Sequence, residues 1–168
     1  MTLRTKTLLV LVAVVSAMTV SFSHAQDKFR LKPGAKGKVC LTCHDDFKEK
    51  LKAPFVHTPV KAGDCSDCHN PHTSDHGKLL SAKADRICFS CHEGIVPKDA
   101  RSVHKVVAEG NCVKCHDPHG AKNRNNLLKA GNELCFGCHQ GIARQVAGNK
   151  FKHSPVEKGC LNCHTPHA

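Results

Sequence analysis

The chain has 168 residues, a formal net charge of +11, 12 Cys, 14 His and seven Phe, with neither Trp nor Tyr. So few aromatic side chains exclude a conventional large apolar core. Cys usage this far above the ordinary requires disulfides, metal or covalently attached cofactors to hold the fold together.

The first element in chain order is an export leader. Arg4 and Lys6 form a positive n-region, Leu8 to Val20 an apolar stretch too short to span a bilayer comfortably, and Ser23-His24-Ala25 a small-residue cleavage site. Cleavage after Ala25 leaves 143 residues that work outside the cytoplasm, with no membrane anchor and no Cys at the cut for a lipid. The expected organisation is a signal peptide over 1–25, an N-terminal segment over 26–39 and one domain over 40–168. Both Met residues and His24 go with the leader, so the mature chain keeps thirteen His, all twelve Cys and no Met. Its 23 Lys and Arg against 14 Asp and Glu leave a charge of +9. A basic, exported chain with no Arg-rich or aromatic-interleaved tract carries solvated lysines and is expected to bind no nucleic acid.

All twelve Cys fall in six Cys-x-x-Cys-His strings. In chain order these are Cys40, Cys43 and His44; Cys65, Cys68 and His69; Cys88, Cys91 and His92; Cys112, Cys115 and His116; Cys135, Cys138 and His139; and Cys160, Cys163 and His164. This is the signature of c-type haem attachment. Two thiols about one helical turn apart can add to the two vinyl groups of one porphyrin, and the next residue, His, reaches the iron from the same side. A zinc site does not require His directly after every second Cys. An oxidised Cys-x-x-Cys pair is a redox motif more often than a structural staple. Six covalent haems are therefore expected.

Short helices are expected at each motif and over Asp45 to Ala53, where Phe47 and Leu51 share a face at i,i+4. Pro33-Gly34 and Pro118-His119-Gly120 predict coil. The expected fold is mostly coil with short α-helices around haem, without substantial sheet. At about 24 residues per haem, against the roughly 40 that an unaided core needs, the porphyrins have to be the core and the haem-free chain is expected to be largely unfolded.

The first Cys of successive motifs lie 25, 23, 24, 23 and 25 residues apart, so the repeat is a pair of motifs, with units of about 40–87, 88–134 and 135–168. His57, His104 and His153 recur between the two motifs of each unit, and Gly63, Gly110 and Gly159 follow six residues later. Each second motif continues as His69-Asn-Pro71-His72, His116-Asp-Pro118-His119 or His164-Thr-Pro166-His167. These features, with the Leu79-Leu80 and Leu127-Leu128 pairs before the next Cys-Phe, resemble the doubled CXXCH family of multihaem c-type cytochromes. The resemblance covers essentially all of residues 40–167. It implies electron transfer and bis-His ligation.

With the six motif His as proximal ligands, seven remain: His57, His72, His76, His104, His119, His153 and His167. Six of them recur at equivalent positions. Without Met, Tyr or a spare Cys to compete, these six are the expected distal ligands, and His76, in a polar loop, is the spare. In His-x-Pro-His, Pro stops the helical turn and throws the second His outward. His72, His119 and His167 therefore have to serve other haems, bringing neighbours into close contact. The simplest arrangement pairs ligands within each two-haem unit.

Irons with both axial sites filled pass electrons but bind no substrate, and bis-His ligation keeps their potentials low, suiting anaerobic respiration. A periplasmic carrier is the expected role. A quinol-oxidising membrane cytochrome is the donor and a terminal reductase or outer-membrane conduit the acceptor, both by family analogy. The alternatives are a self-associating subunit of an extracellular haem filament, a part of an outer-membrane conduit, and a multihaem reductase with one open haem. Propionates and ferric cores bring the net charge to roughly +3 oxidised and roughly −3 reduced. Docking then depends on local lysines such as Lys32 to Lys38.

Overall fold

The computed structural model describes residues 36–168; the leader, its cleavage site, Lys32 and the Pro33-Gly34 turn lie outside the described residues. Short helices joined by coil make up most of Gly37–Ala168, as the composition requires. Single 3₁₀ turns form at Cys40–Thr42, Cys65–Asp67, Cys112–Lys114 and Cys160–Asn162, while Cys88 and Cys135 lie near the ends of the α-helices Ala84–Phe89 and Gly131–Phe136.

Residues Asp45–Lys52 are helical, but as a 3₁₀ helix. Winding at three residues per turn takes Phe47 and Leu51 off a common face. The helix stops at Ala53 (φ −60°, ψ 146°), since Pro54 excludes the helical conformation from the residue before it. The helices Thr58–Ala62, Lys105–Ala108 and Ser154–Lys158 begin directly after His57, His104 and His153. Pro59 and Pro155 occupy first-turn positions where no amide hydrogen is needed. A nine-residue helix, Gln140–Gly148, was not anticipated.

The sheet is one antiparallel pair of two-residue strands, Phe55–Val56 and Gly120–Ala121, in the register Phe55↔Ala121 and Val56↔Gly120. Gly120 therefore leaves the expected coil and enters a strand. A Cβ there would lie 3.1 Å from the carbonyl oxygens of Lys50 and Phe55, so the close approach of these backbones needs glycine.

Two turns depart from ordinary backbone geometry in the same way. Lys78 and Leu79 have φ of 60° and 56°, and Asn125 and Asn126 have 57° and 54°. Leu80 bridges His69 as Leu127 bridges His116, so Leu79 is equivalent to Asn126 and the two Leu-Leu pairs are offset by one residue. Left-handed conformation costs a non-glycine residue about 1–2 kcal/mol. Two such residues in succession, at the same place in two units, mark a turn whose shape is dictated by what it contacts.

Among the described residues, no apolar side chain is buried by the protein's own atoms. Phe151, Leu161 and Ile142 are 86%, 63% and 51% exposed. The polypeptide by itself supplies no core, in line with the expectation that porphyrin surface provides it.

Candidate haem sites

The six motifs share one backbone geometry. In each, the His amide donates to the carbonyl of the first Cys at 2.9–3.0 Å, and the second Cys amide donates to the same carbonyl at 3.1–3.3 Å. These paired bonds wind Cys-x-x-Cys-His into one tight turn, placing both thiols and the imidazole within a single turn of backbone. All twelve thiols are free.

The thiols also show how successive motifs adjoin. Burial raises Cys65, Cys88 and Cys135, the second to about 11, and each also interacts with the first Cys of the other motif in its unit: Cys40, Cys112 and Cys160 respectively. Between units, burial raises Cys68 and Cys115, with further contributions from Cys91 and Cys138. Every motif thus neighbours the next in sequence. The six form a row in chain order.

Cys43, Cys91, Cys138 and Cys163 are exposed, whereas the other eight thiols are partly covered. Cys91 and Cys138 adjoin Cys68 and Cys115 across a unit boundary. The Cys43 thiol has Thr42 Oγ1 at 3.9 Å, and the backbone amides of Cys43 and Cys163 both donate within their own motifs at 3.2 Å.

The imidazoles are arranged in four pairs. His57 faces His92 at 5.8 Å between ring centroids with 17° between planes, and His104 faces His139 at 6.1 Å and 21°. His69 faces His119 at 6.1 Å and 14°, and His116 faces His167 at 6.2 Å and 20°. With metal–nitrogen bonds of about 2 Å, two imidazoles on opposite sides of one iron have their ring centres about 6 Å apart. Among the described residues, no three His, Cys, Asp or Glu side chains converge as a metal cluster. Two facing imidazoles without a third protein ligand suit an iron whose remaining ligands come from a porphyrin.

Each pair joins one motif His to one of the six expected distal His. The pairing crosses the boundaries of the 40–87, 88–134 and 135–168 units, correcting the within-unit arrangement: His57 and His119 link the first unit to the second, and His104 and His167 link the second to the third. His-x-Pro-His explains the crossing, because Pro118 directs His119 away from the turn carrying His116 and toward His69. His44, His72, His76, His153 and His164 face no other imidazole among the described residues.

Backbone carbonyls fix the ring orientations. His57 Nδ1 contacts the Pro118 carbonyl at 2.9 Å and His104 Nδ1 the Pro166 carbonyl at 3.1 Å. His69 Nδ1 meets the Lys78 carbonyl at 2.9 Å and His116 Nδ1 the Asn125 carbonyl at 2.8 Å. A carbonyl only accepts, so Nδ1 carries the proton and Nε2 is left free to bind metal. This is what the left-handed turns at Lys78 and Asn125 accomplish. Neither residue stands out in the sequence, because the contribution is a main-chain oxygen. The one available signal is that both lie nine residues after a second-motif His.

Phe47 packs edge-on against His119 at 4.7 Å. Asp117 accepts hydrogen bonds from the amides of His119 (3.0 Å) and Gly120 (3.5 Å) and pairs with Lys50. Burial alone would raise this carboxyl, but those bonds, led by Lys50, hold it below the ordinary carboxylate range. Burial lowers His119 and His167, favouring the neutral imidazole that metal ligation needs.

Residues 57–96 and 104–144 each match the model of the doubled CXXCH motif. The chain belongs to the doubled CXXCH motif family. Each matched stretch of this family pattern contains both members of a facing pair, His57 with His92 or His104 with His139. The chain is also 35% identical over 65 residues to the multihaem cytochrome MtrA of Shewanella baltica (strain OS185). That match covers 37% of this chain and 19% of the relative's length. Membership assigns the Cys-x-x-Cys-His strings to covalent c-type haem. When bound, haem would supply one-electron chemistry, and the chain's part would be to attach it through the paired Cys and hold it between the paired imidazoles.

Proposed function

We propose that this protein is an exported hexahaem c-type cytochrome that passes electrons along a row of closely spaced haems. The observation that carries the reading is the set of four imidazole pairs, each with the separation and near-parallel planes of two axial ligands on one iron. Six Cys pairs attach the six haems: Cys40 with Cys43, Cys65 with Cys68, Cys88 with Cys91, Cys112 with Cys115, Cys135 with Cys138 and Cys160 with Cys163. His44, His69, His92, His116, His139 and His164 are their proximal ligands, and His57, His72, His104, His119, His153 and His167 serve as distal ligands. An iron held on both sides exchanges an electron with little rearrangement and offers substrate no open position, which favours a conductor over a reductase.

Because adjoining motifs follow chain order, electrons enter and leave near the first and last haems. No helix among the described residues is long and apolar enough to cross a membrane. A periplasmic position in anaerobic respiration fits the leader and the low potential of bis-His haem. The proposed donor is a quinol-oxidising membrane cytochrome, and the proposed acceptor a terminal reductase or outer-membrane conduit. Docking would be through small, transient contacts.

The test is haem counting by intact mass on the matured protein, followed by visible spectra of the dithionite-reduced form with and without carbon monoxide. Six haems, with the irons of His69, His92, His116 and His139 closed to carbon monoxide, are expected. Fewer than six haems, or gas binding to more than two irons, would overturn the reading.

A further inference from the structure

The ligand pairing obeys a translation rule. An inter-motif His of one unit faces the first-motif His of the next, thirty-five residues on in both cases: His57 to His92 and His104 to His139. In the opposite sense, the second-motif His of one unit faces the closing His-x-Pro-His of the next: His69 to His119 and His116 to His167. Both unit junctions repeat the same main-chain contacts. The His57 amide donates to the His119 carbonyl at 3.0 Å and the His104 amide to the His167 carbonyl at 3.2 Å. The preceding prolines, Pro118 and Pro166, accept from the same two imidazoles.

The rule leaves two imidazoles unmatched at each side of the described structure. The first unit has His44, which awaits an inter-motif His, and His72, which awaits a second-motif His. The third unit has His153, an inter-motif His, and His164, a second-motif His. None of the four faces another imidazole among the described residues. The His153 amide and the carbonyls of Pro71 and His72 are likewise absent from the main-chain contacts formed there. The two sets are complementary, in ligand type and in hydrogen-bonding sense.

Resting on the bis-His reading above, we infer that a second copy of this chain completes the two outer haems by reciprocal ligand exchange. His153 of one copy binds the iron held by His44 of the next, and His72 of that next copy binds the iron held by His164 of the first. The His153 amide donates to the His72 carbonyl across the junction, and His153 Nδ1 to the Pro71 carbonyl, repeating the contacts of the two internal junctions. Different surfaces meet at such a contact, so it is heterologous and propagates into a ring or an open filament. The row of haems continues from copy to copy without a break in spacing.

The experiment is a dilution series of the matured holoprotein, with association state from sedimentation and carbon monoxide binding to the dithionite-reduced form from visible difference spectra. Concentrated protein is expected to be oligomeric and closed to the gas, and dilution to single chains is expected to open two irons per chain. The His72→Ala and His153→Ala variants should each open one iron per chain at the high concentration, and the double variant should remain a monomer with two open irons. His76→Ala should behave as the unaltered protein. Single chains with all irons closed, or oligomers whose gas binding is indifferent to His72 and His153, would overturn the inference. Single chains with two open irons at every concentration would overturn it as well. A haem count below six, or more than two open irons, would instead strike the bis-His reading. The dilution series needs no variant, so a substitution that blocks maturation leaves the test intact.

Discussion

Gly110 offers a stability measurement whose size follows from the structure. Its φ is +71°, and a Cβ built on it would lie 2.5 Å from Cβ of Asp85 and 3.0 Å from its Cγ. It closes the helix after His104: its amide donates to the Val107 carbonyl at 2.9 Å, and that of Asn111 to the Val106 carbonyl at 2.9 Å. Gly110→Ala should therefore cost about 1–2 kcal/mol for holding alanine in left-handed conformation. The overlap with Asp85 should add about 1–3 kcal/mol. In an Asp85→Gly background the overlap disappears while the backbone cost stays, so the same change should cost only about 1–2 kcal/mol there. Urea unfolding of the holoprotein, followed at the Soret band and by circular dichroism, measures all four corners of the cycle. Gly77→Ala is the control, because nothing lies within 4 Å of its added Cβ. A cost for Gly110→Ala below about 0.5 kcal/mol, or an equal cost in both backgrounds, would refute the reasoning.

Three further outcomes are expected. His104→Ala removes the ring facing His139 and should open one additional iron to carbon monoxide, read as a difference spectrum; no added binding would mean that the pair is not axial. His119→Met should raise the midpoint of one haem by a fraction of the roughly 0.8 V that axial ligands span, and an unchanged redox titration would count against its place opposite His69. Asn132 donates to the Val156 carbonyl at 2.7 Å and accepts from the Cys160 amide at 2.8 Å, pinning the sixth motif to the helix of the fifth. Asn132→Ala should destabilise by about 1–3 kcal/mol in urea unfolding, and a loss within about 0.5 kcal/mol would show that water replaces both bonds.

Much of the candidate site is legible in the chain because covalent attachment demands fixed spacing. Two thiols and an imidazole have to come from one helical turn, so Cys40 to His44 and its five counterparts announce themselves. The inter-motif His are legible for a weaker reason. Their recurrence exposes them, and the absence of competing ligands in the mature chain leaves them the role. The helix over Asp45 to Ala53 is legible and its winding is not, since a 3₁₀ turn and an α turn share end signals over so short a span. The strand at Gly120 is hidden because its reason is a close backbone approach to Lys50 and Phe55, which no local pattern encodes.

The sequence by itself determined the chemistry: covalent haem motifs, the inventory of imidazoles and the two-motif period, all set by local spacing and by composition. Only the tertiary structure decided the pairing. Which imidazole faces which depends on a proline turning His119 or His167 toward a different unit, and on left-handed turns at Lys78 and Asn125 presenting carbonyls to rings nine residues away. Those are long-range and main-chain facts. Side-chain identity alone does not carry them, and they are what make the pairing cross from one unit to the next.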